Sequence, residues 1–153
     1  MSEHVRAALA HLDSPLPADD AGALRRLNLG YALCADYADL DVLEDLFTPD
    51  AVWDGSEFGF GRHEGRTAIR AAFGGLCGPD VRQIHFSSGL LTWQIEPGLA
   101  GGVSYFSALR RQPDGVSRQA FGCYEDVYER VDGGSSGRWR FRGRTLRLRI
   151  VGR

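Results

Sequence analysis

Cysteine, long apolar runs and the familiar metal or nucleotide motifs are scarce or absent in this sequence. It contains three cysteines, Cys34, Cys77 and Cys123, at wide spacing and without a CxxC pair or a nearby histidine pair. This pattern favours reduced, buried thiols over a disulfide framework or a zinc site. No window offers the ~20 continuous apolar residues that a membrane span needs. HExxH, GxGxxG and P-loop motifs are absent as well, so we predict no metal, no cofactor and no membrane association.

An excess of charge of one sign is also missing. The formal net charge is -2 at pH 7, and the basic run at 138–149 is local. The chain as a whole is therefore not attracted to a phosphate backbone, and no nucleic acid partner is expected. The N-terminus carries Glu3, His4 and Arg6 where a signal peptide would have an apolar segment. These features predict a cytoplasmic location.

Length and composition predict one globular domain. The chain has 153 residues, of which 43% are hydrophobic and 25% are charged, close to the values of ordinary globular proteins. Two prolines, Pro15 and Pro17, punctuate the chain near its start. We therefore divide the sequence into an N-terminal extension at 1–18 and a domain at 19–153.

Three helices are predicted in the first half of the chain. Apolar residues recur at three- and four-residue steps from Leu24 to Cys34, which indicates a helix with one buried face. Capping residues and apolar spacing predict a second helix at 40–47. Apolar spacing alone predicts a third helix at about 66–76. A short strand is predicted between them at 51–54.

From Val81 onward, β-branched and aromatic runs alternate with turn signals, and four long strands are predicted. The turn signals are Pro97-Gly98, Pro113-Asp114-Gly115 and the segment from Asp132 to Gly137. Helices gathered before a run of strands indicate an α+β fold, with the helices packed on one face of a curved antiparallel sheet. Gly89 and Gly143 interrupt strand patterns and are candidate bulges that would bend the sheet.

His85 lies in the middle of a predicted strand, between the apolar Ile84 and Phe86. A histidine at such a position can be a structural residue that hydrogen-bonds a backbone carbonyl. It can also serve proton transfer, because imidazole titrates near neutral pH and an apolar wall excludes water. The residues alone leave both interpretations open.

The last strand changes the phase of its alternation. Trp139 and Phe141 occupy odd positions, whereas Leu146 and the apolar residues after it occupy even ones. One extra residue shortly before Arg144 is needed to keep all of them on the core side. Arg144 then points into the apolar face, where a guanidinium requires a carboxylate or a ligand anion. Asp36 is one candidate partner.

Asp36 and Tyr31 lie on the first predicted helix, and each has two interpretations. Asp36 either closes the helix in contact with solvent or faces a functional site. Tyr31 is either a core residue or a functional one, and its hydroxyl needs a partner if it is buried. The two residues are about 140° apart around a helix, so both reach one cavity only if the helix crosses its mouth or ends near Asp36.

Five segments resemble the SnoaL-like branch of the nuclear-transport-factor-2-like superfamily. They are "YALCADYADLDVLEDLFTPDAVWD", "GRHEGRTAIRAAF", "IHFSSG", "GCYEDVYERVDG" and "RWRFRGR". The resemblance covers roughly 21–150 and implies a cone-shaped α+β fold. In that fold a strongly curved antiparallel sheet and three N-terminal helices enclose an apolar pocket.

Within this superfamily the sequence is most similar to scytalone dehydratase, bile acid 7α-dehydratase and hexachlorocyclohexane dehydrochlorinase. The resemblance implies that His85 and Asp36 form a catalytic pair, that Tyr31 supplies a hydroxyl, and that Arg144 is an inward arginine. The segment "SYFSALRRQ" lacks the second active-site histidine of scytalone dehydratase, and the next strand lacks its serine and asparagine. A different substrate is therefore expected.

The leading hypothesis is a cofactor-independent lyase of the dehydratase type, acting on a mid-sized hydrophobic carbonyl compound such as a steroid, polyketide or terpenoid. His85, oriented by Asp36, would remove a proton next to the carbonyl. Tyr31 would hydrogen-bond the enolate oxygen or protonate the leaving group, and Arg144 would stabilise negative charge. The predicted pocket wall consists of Trp53, Phe58, Phe60, Phe86 and Trp93.

The sequence leaves two alternatives to the lyase hypothesis open. An isomerase or cyclase of the same fold would use Asp36 itself as the base, and a non-catalytic module would only bind a ligand or a partner subunit. The expected partners are a small hydrophobic molecule and further copies of the chain in a homodimer or homotrimer.

Overall fold

The structure, a computed structural model, describes residues 1–78, 80–131 and 137–152, the side chains of the last two excepted. Within these residues the four α-helices are α1 (Glu3–Ala10), α2 (Ala18–Tyr37), α3 (Leu40–Asp45) and α4 (Arg66–Leu76), and a short 3₁₀ helix spans Ser56–Phe58. The six strands are β1 (Phe47–Asp54), β2 (Arg62–Glu64), β3 (Arg82–Glu96), β4 (Leu99–Arg111), β5 (Ser117–Val131) and β6 (Arg138–Gly152). The predicted α+β class is confirmed, and α2, α3 and α4 are the three predicted helices.

One curved, open sheet contains all six strands in the order β2-β1-β6-β5-β4-β3. The strands from β3 to β6 form the predicted antiparallel meander. β1 pairs parallel to β6 and antiparallel to β2, so the complete sheet is mixed. The predicted strand at 51–54 is the second half of β1, which is long enough to extend the sheet beyond the meander.

Two of the predicted turns join consecutive strands of the meander. Gly98 has φ 79° between β3 and β4, and Gly115 has φ 83° between β4 and β5, conformations that glycine adopts at no steric cost. The third turn signal, at 132–137, falls almost entirely outside the described residues.

Both predicted bulges are present and set which side chains face inward. Gly89 has φ 65°, and the register of β3 shifts between Ser88 and Leu91. In β6, Phe141 and Gly143 pair with consecutive residues of β5, which leaves Arg142 as the extra residue. The second bulge turns Arg144 towards the core, as the change of phase in the sequence predicts.

Helix α2 lies across the concave face of the sheet and ends close to β3. Leu24 and Leu27 are buried along one face, in agreement with the predicted periodicity. Ala38 stops the helix in the left-handed conformation with φ 57°, and the N–H of Asp39 donates to the carbonyl of Cys34 at 3.0 Å. An alanine rarely adopts this conformation. The helix therefore ends one residue after Asp36.

The N-terminal extension contains α1, which the sequence patterns do not reveal. Its side chains contact the sheet: the Ser2 hydroxyl donates to the Glu125 carboxylate, and the ring of His4 hydrogen-bonds the carbonyl of Gly102 at 3.1 Å. Leu16 joins the main hydrophobic core. No described helix is both long enough and apolar enough to cross a membrane.

Candidate active site

A cavity of about 370 Å³ opens between the helices and the concave face of the sheet. This volume is within the ~300–1,000 Å³ typical of small-molecule sites. The aromatic and aliphatic part of its wall consists of Tyr31, Ala35, Trp53, Phe58, Phe60, Phe73, Leu76, Phe106, Ala108, Ala120, Tyr124, Leu146 and Leu148. His85 lies on the same wall. The arrangement can therefore hold an apolar ligand against an imidazole.

His85 and Asp36 form a hydrogen-bonded pair at the edge of this cavity. The ring Nδ1 of His85 lies 2.6 Å from Oδ1 of Asp36, and the backbone N–H of His85 donates to Oδ2 at 3.0 Å. The two side chains are only 16% and 11% exposed. One carboxylate thus holds both the backbone and the ring of the histidine, which fixes the orientation of the imidazole.

The hydrogen bond to Asp36 determines which nitrogen of His85 is available for chemistry. A carboxylate accepts hydrogen bonds, so Nδ1 carries the proton in the neutral ring and Nε2 keeps its lone pair. Within the described residues Nε2 makes no hydrogen bond. The free nitrogen of a ring on the cavity wall has the geometry of a general base.

Asp36 occupies a position that is unfavourable for helix stability. It lies in the last turn of α2, where the helix dipole disfavours a negative charge. The two hydrogen bonds from His85 compensate for this cost. Because α2 ends at Tyr37, Asp36 reaches β3 while Tyr31 stays on the inner face of the helix.

Tyr31 is buried on the cavity wall and can donate a hydrogen bond. Its hydroxyl oxygen accepts from the indole N–H of Trp53 at 3.0 Å, which leaves its own O–H free. Burial raises the pKa of Tyr31 to about 12, although the nearby Arg144 guanidinium opposes this rise. The phenol therefore stays neutral and is suited to donate to an oxygen that becomes negatively charged.

Tyr124 is a second buried tyrosine of this wall, at a position that no pattern in the sequence distinguishes. Its ring packs edge-on against Tyr31 at 5.8 Å and stacks on Phe106 at 4.3 Å between centroids. Burial raises the pKa of Tyr124 well above its ordinary value. Its hydroxyl makes no hydrogen bond to a described residue, so it is a second neutral donor available to a ligand.

Arg144 is fully buried, and its partner is Asp126 instead of the predicted Asp36. Its Nε and Nη2 donate to the two carboxylate oxygens of Asp126, each at 2.8 Å. Nη2 also donates to the side-chain oxygen of Asn28. The Tyr128 hydroxyl donates to Asp126 at 2.7 Å. This network neutralises the arginine without involving the His85 pair.

The position of Arg144 also corrects its predicted role. Its guanidinium lies over the rings of Tyr31, Tyr124 and Phe141 at 4.2, 4.0 and 4.1 Å from their centroids. Arg144 is absent from the cavity wall, whereas the two tyrosines line it. Arg144 therefore supports the tyrosines by cation–π contacts and does not meet a ligand directly.

The predicted apolar wall is divided between two faces of the sheet. Trp53, Phe58 and Phe60 line the cavity. Phe86 is 62% exposed on the outer face, since it alternates with the inward His85. Trp93 is buried beneath the N-terminal extension instead, because the bulge at Gly89 shifts the alternation of β3 by one residue.

In the part of the chain that the structure describes, no group of three or more histidine, cysteine, aspartate or glutamate side chains is arranged to hold a metal ion. Cys77 faces the cavity, and burial raises its pKa, which makes its thiol a poor nucleophile at neutral pH. The groups available for proton transfer at His85 are thus its imidazole, the carboxylate behind it and two phenols.

The solved structures that share the fold include the following three. One is a protein provisionally named scytalone dehydratase from Novosphingobium aromaticivorans, with 22% identity over 87% of this chain and 86% of that chain and a TM-score of 0.76. A second, provisionally named aromatic ring hydroxylase and from the same organism, has 25% identity over 89% and 94% and a TM-score of 0.80. The third is the type 3 hexachlorocyclohexane dehydrochlorinase of Novosphingobium barchaimii, with 19% identity over 88% and 89% and a TM-score of 0.76.

Sequence comparison identifies the family. No curated protein matches the chain significantly. The family model for the SnoaL-like domain matches residues 17–145, which include every helix that packs on the concave face and the residues of the His85 pair. The chain belongs to the SnoaL-like domain family.

Proposed function

We propose that this protein is a cofactor-independent lyase of the dehydratase type, acting on a mid-sized hydrophobic carbonyl compound. The observation that carries the proposal is the Asp36–His85 pair, whose free Nε2 belongs to a ring on the wall of an apolar cavity. Two structural neighbours, named as a scytalone dehydratase and a dehydrochlorinase, are in keeping with a lyase of this fold. Steroids, polyketides and terpenoids with a hydroxyl β to a carbonyl have the required chemistry.

The reaction begins with removal of a proton from the carbon next to the carbonyl. His85 Nε2 takes this proton, and Asp36 stabilises the resulting imidazolium through Nδ1–H. The electron pair of the C–H bond moves onto the carbonyl oxygen. The hydroxyls of Tyr31 and Tyr124 donate to this enolate oxygen in a wall that excludes water, where such bonds are strongest.

The second step expels the leaving group. The enolate re-forms the carbonyl, a carbon–carbon double bond forms, and the β-hydroxyl leaves with the proton that His85 accepted. Water is the only by-product, and His85 returns to its neutral form. No oxidant, reductant or external cofactor is needed for this balance.

A sequence-based alternative is an isomerase in which Asp36 moves the proton. The geometry favours His85 over Asp36 as the base. Asp36 is absent from the cavity wall, and both oxygens of its carboxylate accept hydrogen bonds from His85. A cytoplasmic location and a homodimer or homotrimer stay predictions from the sequence.

The test is a panel of β-hydroxy ketones of increasing size, incubated with the protein and assayed for loss of water by mass spectrometry. Replacing His85 with alanine should lower turnover by ~10²–10⁴-fold, the usual contribution of a general base. Asp36→Asn should also lower it, since the amide can donate to Nδ1 and thereby leave Nε2 protonated. His11→Ala, which removes a histidine of the N-terminal extension, is the matched control and should leave turnover unchanged.

Two results would count against the proposal. If His85→Ala retained full turnover of a substrate, the base would be another group. If ligands bound without forming any product across the panel, the protein would be a binding module of this fold.

A further inference from the structure

The cavity has a charged end, which the proposed proton transfer does not use. Arg110 and Arg118 line the cavity together with Gln83. Gln83 is the register partner of Arg110 on β3, and Arg118 is the partner of Arg110 on β5. The three side chains therefore form one row across neighbouring strands, on the same inner face as His85.

The two arginines face each other without a carboxylate between them. Like charges directly opposite each other on antiparallel strands destabilise a sheet. Neither guanidinium forms an ion pair with any residue that the structure describes. An arrangement that costs stability and carries no internal counter-ion is favourable for binding an anion.

Arg110 is held in place but keeps free donors. Its Nη2 donates to the carbonyl of Leu76 at 2.5 Å, at the C-terminal end of α4, and its guanidinium lies 5.9 Å from the ring centroid of Phe60. Its Nε is buried and has no hydrogen-bond partner. A guanidinium has five N–H donors, so the contact with Leu76 leaves most of them available.

The acidic group on the wall does not neutralise the arginines. Glu57 is the single acid among the lining residues. Its carboxylate accepts from the backbone N–H of Leu148 at 2.8 Å and from Arg147 at 3.0 Å. Glu57 is therefore already paired, and the two cavity arginines provide a net positive charge.

We propose that Arg110 and Arg118 form a subsite for a carboxylate or phosphate group of the ligand, one inward-facing position along the sheet from His85. Arg110 lies two residues along β4 from Ala108, the register partner of His85, which is roughly 7 Å of strand. The substrate class is thus an apolar carbonyl compound that carries an anionic group. The carbonyl part of this substrate class rests on the proposed function, whereas the anionic group is inferred from the two arginines alone.

The test measures binding by calorimetry with three probes that share one apolar ring system: 2-naphthylacetate, its uncharged carboxamide and 2-naphthyl phosphate. The wild-type protein should bind 2-naphthylacetate at least about tenfold more tightly than the carboxamide, the ratio expected of one charge-assisted hydrogen bond. Arg110→Gln should remove this preference. A phosphate probe that binds more tightly than the carboxylate would identify phosphate as the preferred group.

Controls separate charge recognition from folding and from catalysis. Arg111→Gln changes the next arginine of β4, which is exposed and absent from the cavity wall, and should keep the preference. Arg118 is exposed, so Arg118→Gln tests the subsite even if Arg110→Gln unfolds. His85→Ala should also keep the preference, so a failure of the lyase proposal would leave this result intact. Equal binding of the acid and the carboxamide, or no binding of any probe, would overturn the subsite.

Discussion

Replacing Asp126 with asparagine should destabilise the protein more than any exposed charge substitution. The change keeps the size of the side chain but removes the negative charge that faces Arg144. Both residues have no solvent exposure, and an arginine guanidinium keeps its proton in proteins even when it lacks a counter-ion. A buried guanidinium would remain without a counter-ion.

The expected loss is about 3–5 kcal/mol, the cost of leaving one member of a buried ion pair uncompensated. A domain of this kind has a total stability of about 5–15 kcal/mol. The melting temperature should fall by roughly 6–20 °C, since a domain of 150–250 residues loses about 2–4 °C per kcal/mol. Urea denaturation followed by tryptophan fluorescence measures the free energy of unfolding, and a thermal melt measures the temperature.

Two further variants test the reasoning. Glu129→Gln removes a carboxylate from an exposed pair with Arg142, at 3.6 Å, and should cost at most about 1 kcal/mol. The double variant Asp126→Leu with Arg144→Met should be more stable than Asp126→Asn, because no unpaired charge is buried. If Asp126→Asn lost no more stability than Glu129→Gln, the pair would not stabilise the core as described.

Two other predictions concern alkaline stability and glycine. The folded-state pKa of Tyr31 is raised from 10.0 to about 12, so the folded protein favours the neutral phenol and the free energy of unfolding should fall as pH rises from 10 to 12. The decline from this residue is up to about 3 kcal/mol. Urea titrations at each pH should give a shallower decline for Tyr31→Phe, and an identical slope would contradict the raised pKa. At Gly122 an added Cβ would lie 2.5 Å from the backbone oxygen of Arg147, so Gly122→Ala should lower stability by about 1–3 kcal/mol. In α4, the added Cβ of Gly75→Ala meets no atom within 4 Å, so this variant should raise the melting temperature slightly. If the two alanine variants had the same melting temperature, the clash predicted at Gly122 would be wrong.

Local sequence patterns predict the elements of this fold well. The third predicted helix coincides with α4 because its apolar spacing has the helical period. The inward Arg144 follows from counting alternation on both sides of one bulge. Both inferences need only residues that are neighbours in the chain, and such signals are strong in the sequence.

Contacts between distant strands are less predictable. Asp126 lies in the same alternation phase as Tyr124 and Tyr128, so an acid at that inward position was a signal for the partner of Arg144. Choosing it over Asp36 required the register between β5 and β6. Trp93 was misplaced for a related reason, because only the actual bulge at Gly89 decides which face the later residues of β3 occupy.

The central claim is that His85 removes a proton from a carbon next to a carbonyl. The most direct test uses an analogue of the first identified substrate that lacks the leaving hydroxyl, incubated with the protein in heavy water. Proton NMR then follows the exchange of hydrogen for deuterium at that carbon. The wild-type protein and His11→Ala should catalyse exchange at least about 100-fold faster than His85→Ala. Equal exchange rates for the wild-type protein and His85→Ala would contradict the claim.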